Sequence, residues 1–520
     1  MNLSDDLNLE LAWKRHKNDL KDMSFSDHPY ETKIIDDNFN EWLAKLKEKL
    51  NNYKPSRSEI IDIPKKDFHL RPGSIITAED ATVFQALLLY EAQKIRDNLL
   101  WSATKDRFAY ILKEDQTTEK WFVYEYKGWS NFREQSLKYI DDGYNWVVFA
   151  DISAYFENIS IQRLVSDLKS FGLSKEILTC LSSCLYRWAE PKSRGIPQGN
   201  RPSFILAEIY LNSIDRRLKN KKIPFCRYVD DMRLFFKTKE EAILGLHVLT
   251  VLMREKELNL QTAKSYILND DKAREEIDSI SKILRNLEDD IKTELKDFLT
   301  RKSPYTTPSA IEKYVADIGS SIKLTSIRKA FDDFIINDDK TFNKTLFHYC
   351  INRLGAAKDN YAVDYCLKCI INRPEEFIYI LPYFSKLKDN RIELAEQMIE
   401  SFKIESNIFD RHYFLLLRWI YNENISSELI LELCRDLAFR SDLDYYTKHY
   451  VWAILGEYGD LADLDSIEAE YNKVNQELSR ATILCAIKRM VEDRRNSIYA
   501  RAQADGALIC YAIKTSKKNG

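Results

Sequence analysis

Cys226-Arg227-Tyr228-Val229-Asp230-Asp231-Met232-Arg233-Leu234-Phe235-Phe236 is an apolar run interrupted by two adjacent carboxylates. Apolar segments on either side of a tight acidic turn predict a β-hairpin with Asp230 and Asp231 at its tip. Alone, an Asp-Asp pair in a hairpin is ordinary turn chemistry. Upstream, Trp146-Val147-Val148-Phe149-Ala150 is a strand-like run that ends in Asp151 and continues as Ile152-Ser153-Ala154-Tyr155-Phe156. Between the two lies Gly195-Ile196-Pro197-Gln198-Gly199, a loop ahead of a helix that starts near Pro202. Singly, a strand-terminal aspartate is often a helix N-cap and a glycine-rich loop is only a turn. Together they suit one chemistry. Carboxylates from separate strands, Asp151 and Asp230, supply hard oxygen ligands for two Mg²⁺ ions about 3.5–4 Å apart, an arrangement that stabilises a phosphoryl group in transfer. The backbone carbonyl of Ile152 adds a ligand, and Asp231, adjacent to Asp230, takes a supporting role.

The chain has 520 residues, 45% hydrophobic and 31% charged, with only 13 glycines and 12 prolines. So few breakers predict long uninterrupted elements, mostly helices, and exclude collagen-like, low-complexity and largely disordered classes. No apolar window is long enough for a membrane span, and the polar N-terminus lacks the character of a secretory signal. Nine cysteines without framework spacing fit a reduced, cytoplasmic protein. The net charge of −3 shows no basic excess for gripping a long duplex by its phosphates.

Three domains are expected. Residues 1–56 read as a charged, solvent-facing helical extension, and 57–280 as a mixed α+β region holding the acidic strands. Residues 281–520 read as all-α. There, apolar residues recur at helical spacing between polar breaks at Asn337-Asp338-Asp339, Lys358-Asp359-Asn360, Asn422-Glu423-Asn424 and Gly456–Gly459. That texture fits stacked hairpins of a HEAT-like α-solenoid, or equally an ordinary helical bundle. His348, Cys350, Cys366 and Cys369 form a paper zinc site, but their helical spacing reads as core packing. The basic run Arg216–Lys222 suits either phosphate contact or a helix C-terminus.

The acidic segments resemble those of reverse transcriptases. Phe149-Ala150-Asp151-Ile152 with Tyr155-Phe156 looks like motif A, Gly195–Gly199 like motif B, and Tyr228-Val229-Asp230-Asp231 is the YxDD box. Leu258–Ser265, with Lys264, looks like motif D, and Ile63–Pro72 like the fingers segment. The resemblance covers about residues 57–270. It implies a fingers/palm core in which Asp151, Asp230 and Asp231 are catalytic and hold two Mg²⁺ with the Ile152 carbonyl. It further implies that Lys65, Arg71, Tyr155, Phe156, Gln198, Gly199 and Lys264 meet the incoming dNTP. Phe156 falls where the family places a steric gate against the ribose 2′-OH.

A reverse-transcriptase core, a helical N-terminal extension and a long helical C-terminus together resemble the bacterial abortive-infection (Abi) reverse transcriptases. These form a phage-defence group related to group II intron and retron enzymes. This implies template-independent, tyrosine-primed synthesis of single-stranded DNA, covalently attached, by a homo-oligomer answering a phage-encoded trigger. Tyr30, beside a turn in the N-terminal extension, is a candidate primer, and the C-terminal helical array is equally able to present one. A templated reverse transcriptase with a cognate RNA, and a non-catalytic helical-array sensor or assembly protein, remain as alternatives.

Overall fold

The computed structural model describes residues 2–22, 27–123, 127–278, 289–318, 323–336, 342–405 and 408–518. The break at Asn337-Asp338-Asp339 and the expected boundary between 280 and 281 lie outside the described residues. The chain divides into two compact units: residues 1–22, 46–61 and 73–322, and residues 23–45, 62–72 and 323–520. No helix among the described residues is long and apolar enough to cross a membrane.

Strands β1 (Glu59–Pro64) and β2 (Leu70–Ile75) form a two-stranded sheet. The first unit is built on a four-stranded antiparallel sheet of β3 (Trp146–Ala150), β4 (Phe225–Tyr228), β5 (Asp231–Phe236) and β6 (Tyr266–Asn269), in the order β4-β5-β3-β6. Val147, Val148, Leu234 and Phe235 are wholly buried. A sheet so enclosed explains why these strands read as continuous apolar runs rather than alternating ones. Helices Gly128–Asp141 and Lys239–Glu255 pack on it. Gly245 permits the second contact, because a Cβ there would fall 2.0 Å from the Phe236 ring.

The helix Leu9–Asp22 departs from the expected solvent-facing extension. Leu9, Ala12, Trp13, Arg15 and Asp19 are buried, and the helix packs on Ala78–Tyr90. Its inner charges all have partners. Arg15 donates to the carbonyls of Gln116 and Thr118 and lies over the Trp121 ring at 4.0 Å. Asp19 accepts from Gln85 and pairs with Arg201. Charged residues in a pattern read as solvated because their partners, distant in sequence, are invisible to it.

In the second unit the helices Lys344–Ala356, Phe377–Lys386, Asp410–Glu423, Tyr445–Tyr458, Glu477–Ala486 and Ala507–Lys518 pack each on the next. The helix Glu31–Asp37 packs on the last of them, and Asn38 donates to Thr515 Oγ1 at 3.1 Å. Cys350, Cys366 and Cys369 are buried free thiols, and His348 Nε2 lies 2.6 Å from Glu376.

A buried ionic cluster lies under the β4–β5 turn. Arg227 donates to Asp215 at 2.6 Å, to Glu208 at 2.9 Å and to the Val229 carbonyl at 2.9 Å. Arg107 adds a second cation, 3.3 Å from Glu208. All four side chains are at most 2% exposed. Deleting one partner strands an uncompensated charge in the core. Arg227→Met should therefore cost about 3–5 kcal/mol in urea denaturation, and a loss below about 1 kcal/mol would show the cluster to be structurally idle.

Candidate active site

The pairing Tyr228↔Asp231 leaves Val229 and Asp230 as the two-residue turn between β4 and β5. Val229 has φ +57, a conformation that costs a β-branched residue free energy. The hydrogen bond from Arg227 to the Val229 carbonyl holds it there, so the ionic cluster aims Asp230. On β3 the register ends at Ala150↔Met232, which places Asp151 one step further on, beside Asp231. Beyond β3, Gln261 N donates to the Asp151 carbonyl at 2.8 Å, and Ser153 N to the Asn259 carbonyl at 2.9 Å. Ile152 lies between these bonds as an isolated bridge to Leu260. In an antiparallel pair its own N–H and C=O then face the other edge, the side on which β5 runs.

Three carboxylates thus share one corner of the sheet. Burial, and then the charges of Asp230 and Asp151, push the Asp231 carboxyl up to about 7. Burial and Asp151 also raise Asp230, against a hydrogen bond from Tyr305 that lowers it. Two groups offset the charge. Lys264 Nζ lies 3.3 Å from Asp151 Oδ2 on a largely exposed side chain. Tyr305 Oη donates to Asp230 Oδ1 at 2.5 Å, and its ring lies 5.8 Å from that of Tyr228. Tyr305 occupies the turn between helices Asp289–Arg301 and Pro308–Ile318. Burial and the nearby carboxylates hold its phenol well above the usual range, so it stays a donor. Ser303-Pro304-Tyr305 belongs to no motif, and among 29 tyrosines nothing in the sequence singles it out.

Among the described residues no group of three or more His, Cys, Asp or Glu side chains is placed to hold a metal ion by itself. The donors suit magnesium nonetheless: clustered carboxylate oxygens, Asp230 and Asp231 among them raised by burial and by the neighbouring carboxylates, held against an ammonium and a phenol that lie where a cation would relieve the charge. Asp151, Asp230 and the Ile152 carbonyl are the residues that would hold it, with Asp231 behind them.

The loop 195–199 is tied to the segment after Asp151. Gly195 N donates to the Ile159 carbonyl at 2.8 Å, and Ile196 N to the Phe156 carbonyl at 3.0 Å. Gly195 has φ +93, and a Cβ there would lie 3.3 Å from the Glu157 carbonyl. Ser203 Oγ donates to the Pro197 carbonyl, fixing the loop to the following helix. Gln198 is half-buried and Gly199 buried. Phe156, 8% exposed, meets Phe204 edge-on at 5.8 Å. The Tyr155 hydroxyl donates to the Ala207 carbonyl at 2.5 Å, so its polar end is committed to the helix Arg201–Asn220.

The first unit therefore gathers Asp151, Ile152, Tyr155, Phe156, Gln198, Gly199, Asp230, Asp231 and Lys264. Lys65 follows β1 and Arg71 lies in β2, within the residues 62–72 that group with the second unit. So does Tyr30, buried with its ring edge-on to Tyr421 at 6.1 Å. In the basic run, Arg217 pairs with Glu255, and Arg216 reaches the Asn98 carbonyl and lies over Trp101.

A carboxyl whose folded pKa exceeds its unfolded value of about 3.9 supports the fold only while protonated. The contribution of Asp231 is present below that value and lost as pH rises through about 7. The urea midpoint of metal-free protein should fall across this window, and Asp231→Asn should flatten the fall. Magnesium should raise the midpoint more at about pH 8 than at about pH 5, since metal binds the deprotonated carboxylates. Equal shifts at both pH values would remove these carboxylates from metal binding.

Residues 63–312 match the family model described as "Reverse transcriptase (RNA-dependent DNA polymerase)". Protein YkfC of Escherichia coli strain K12 is 24% identical over 182 residues, which cover 33% of this chain and 43% of that protein. The chain thus spans less than half of that relative's length. Among solved structures, telomerase from Candida albicans in complex with a TWJ fragment of telomeric RNA is similar at 12% identity. It covers 75% of this chain and 70% of its own, with a TM-score of 0.32. The telomerase of Candida tropicalis in the corresponding complex gives 11% identity, 74% and 68% coverage, and a TM-score of 0.34.

Proposed function

From a chain whose residues 63–312 are a reverse-transcriptase domain, the nucleotidyltransferase module of that polymerase family, we propose a metal-dependent DNA polymerase that joins dNTPs without a template, starting from a tyrosine hydroxyl of its own. The observation that carries the polymerase reading is the corner where Asp151, Asp230 and Asp231 meet, with Lys264 beside it. Bound there, magnesium would neutralise the charge that builds on the transferring phosphoryl group and acidify the attacking hydroxyl.

The chain's own residues do the rest. Lys264 offsets phosphate charge, the pinned Gln198-Gly199 loop lines the nucleotide site, and Phe156 excludes the ribose 2′-OH. Two features support untemplated, protein-primed synthesis: a net charge of −3, without the basic excess a duplex grip requires, and a phenol hydroxyl already on one of the carboxylates. With its Abi-like organisation, the protein serves in phage defence as a cytoplasmic homo-oligomer. Its C-terminal helices, each packed on the next, act as a HEAT-like array that receives the trigger. The family description, RNA-dependent DNA polymerase, favours a second reading: a templated enzyme with a cognate RNA.

Purified protein with Mg²⁺ and labelled dNTPs, given no nucleic acid, should become covalently labelled, and Asp230→Asn should abolish the label. Incorporation that requires added or co-purifying RNA selects the templated reading instead. Phe156→Ala should raise ribonucleotide use relative to deoxyribonucleotide use by about 10-fold or more, measured as a ratio of kcat/KM values. An unchanged ratio would make Phe156 a core residue only.

A further inference from the structure

A polymerase corner of this kind acts on a hydroxyl held against its metal-binding carboxylates, and the described structure offers one such hydroxyl. Tyr305 Oη lies 2.5 Å from Asp230 Oδ1. A hydroxyl and a carboxylate sharing one octahedral magnesium stand about 3 Å apart, so little movement separates this hydrogen bond from shared coordination. The ring rests 5.8 Å from Tyr228, the first residue of the acidic box.

The segment that carries Tyr305 also fits the task. It is a turn rather than a helix, held by its own bonds: Ser303 N donates to Thr306 Oγ1 at 2.7 Å, and Tyr305 N to Ser303 Oγ at 3.2 Å. Pro304 and Tyr305 are exposed, Tyr305 by 40%. The residue is therefore exposed at the surface while its hydroxyl end is buried against the carboxylates. Two other tyrosines are committed elsewhere. The Tyr155 hydroxyl is bound to a helix carbonyl. Tyr30 is buried, its ring against Tyr421.

We propose that Tyr305 is the priming residue, whose hydroxyl accepts the first deoxynucleotide and is left as a tyrosyl phosphodiester. This rests on the untemplated, protein-primed reading above. In the step, Tyr305 Oη attacks the α-phosphorus of a dNTP. The Oη–Pα bond forms, the bond from Pα to the bridging oxygen of the β-phosphate breaks, and pyrophosphate leaves with that electron pair. The hydroxyl proton passes to Asp230, which already accepts it, and on to water. The product bears a free 3′-hydroxyl for the next addition.

The test uses full-length protein, Mg²⁺ and a chain-terminating dideoxynucleoside triphosphate labelled at the α-phosphate, without nucleic acid, followed by tryptic mass spectrometry. The label should lie on the peptide 303–313, in which Tyr305 is the sole tyrosine, raising its mass by one nucleoside monophosphate. Tyr305→Phe, which keeps the ring, should reduce labelling by at least about 100-fold, as loss of an attacking group does. A nucleotide-free arm reads the same contact. Magnesium should perturb the tyrosine ultraviolet difference spectrum of the wild type, and that band should be missing in Tyr305→Phe. Label on a different tyrosine, or wild-type labelling of Tyr305→Phe, overturns this assignment and leaves the untemplated reading standing. No label without template, alongside extension of an added template-primer, overturns both.

Discussion

Like charges at adjacent strand ends are the constraint on which the first unit depends. Asp151, Asp230 and Asp231 share a partly buried corner, where burial first and then the neighbouring carboxylates push Asp230 and Asp231 upward. Such a corner persists only if the backbone that carries it is held by something stronger. Here that is a second set of charges one layer below. Arg227, Arg107, Glu208 and Asp215 balance two cations against two anions in full burial. An ion cluster of this kind is weak evidence of net stability, because desolvation offsets much of its attraction. Its consequence here is positional: the same guanidinium that closes the cluster also binds the Val229 carbonyl and keeps that residue at positive φ.

The site is therefore organised in layers. The sheet fixes where Asp151 and Asp231 emerge, and the turn fixes Asp230. The loop 195–199 is tied by main-chain bonds to the residues that follow Asp151, so the loop and that segment are held together. Side chains at the outer layer, Lys264 and Tyr305, come from exposed segments and meet the carboxylates by single contacts. Strong, redundant contacts inside and single, exchangeable ones outside are what a site needs if it is to keep its shape while its cationic and hydroxyl partners change.

Much of this was legible in the sequence because it is local. The strand run into Asp151, the acidic hairpin and the Gly195–Gly199 loop each carry their own pattern. The register that brings Asp151 beside Asp231 joins strands distant in sequence and is a finding of the structure. What could not be read is non-local. Arg15 and Asp19 look like solvated helix charges until Trp121, Gln85 and Arg201 are brought to them by the fold. Arg227 sits inside a motif and looks like spacing between better-known letters; its partners Glu208 and Asp215 lie on a different element, the helix Arg201–Asn220. Tyr305 is the extreme case, a residue in a short polar turn whose meaning is a single distance.

That distance also bears on the charge of the molecule. An enzyme that must hold an external primer on its template spends lysines and arginines along a groove, and its affinity falls steeply with salt. An enzyme whose first acceptor is one of its own side chains has that acceptor at a fixed effective concentration, set by the length of a turn rather than by phosphate contacts. It has no physical need of a basic footprint. On the reading proposed for this chain, a net charge of −3 and a phenol at the carboxylate corner belong to one arrangement. On the proposed reading, raising the salt concentration should weaken capture of the triphosphate without removing the acceptor. Initiation should then stay salt-tolerant to the extent that Lys264, an exposed and easily screened cation, is its main long-range electrostatic contact.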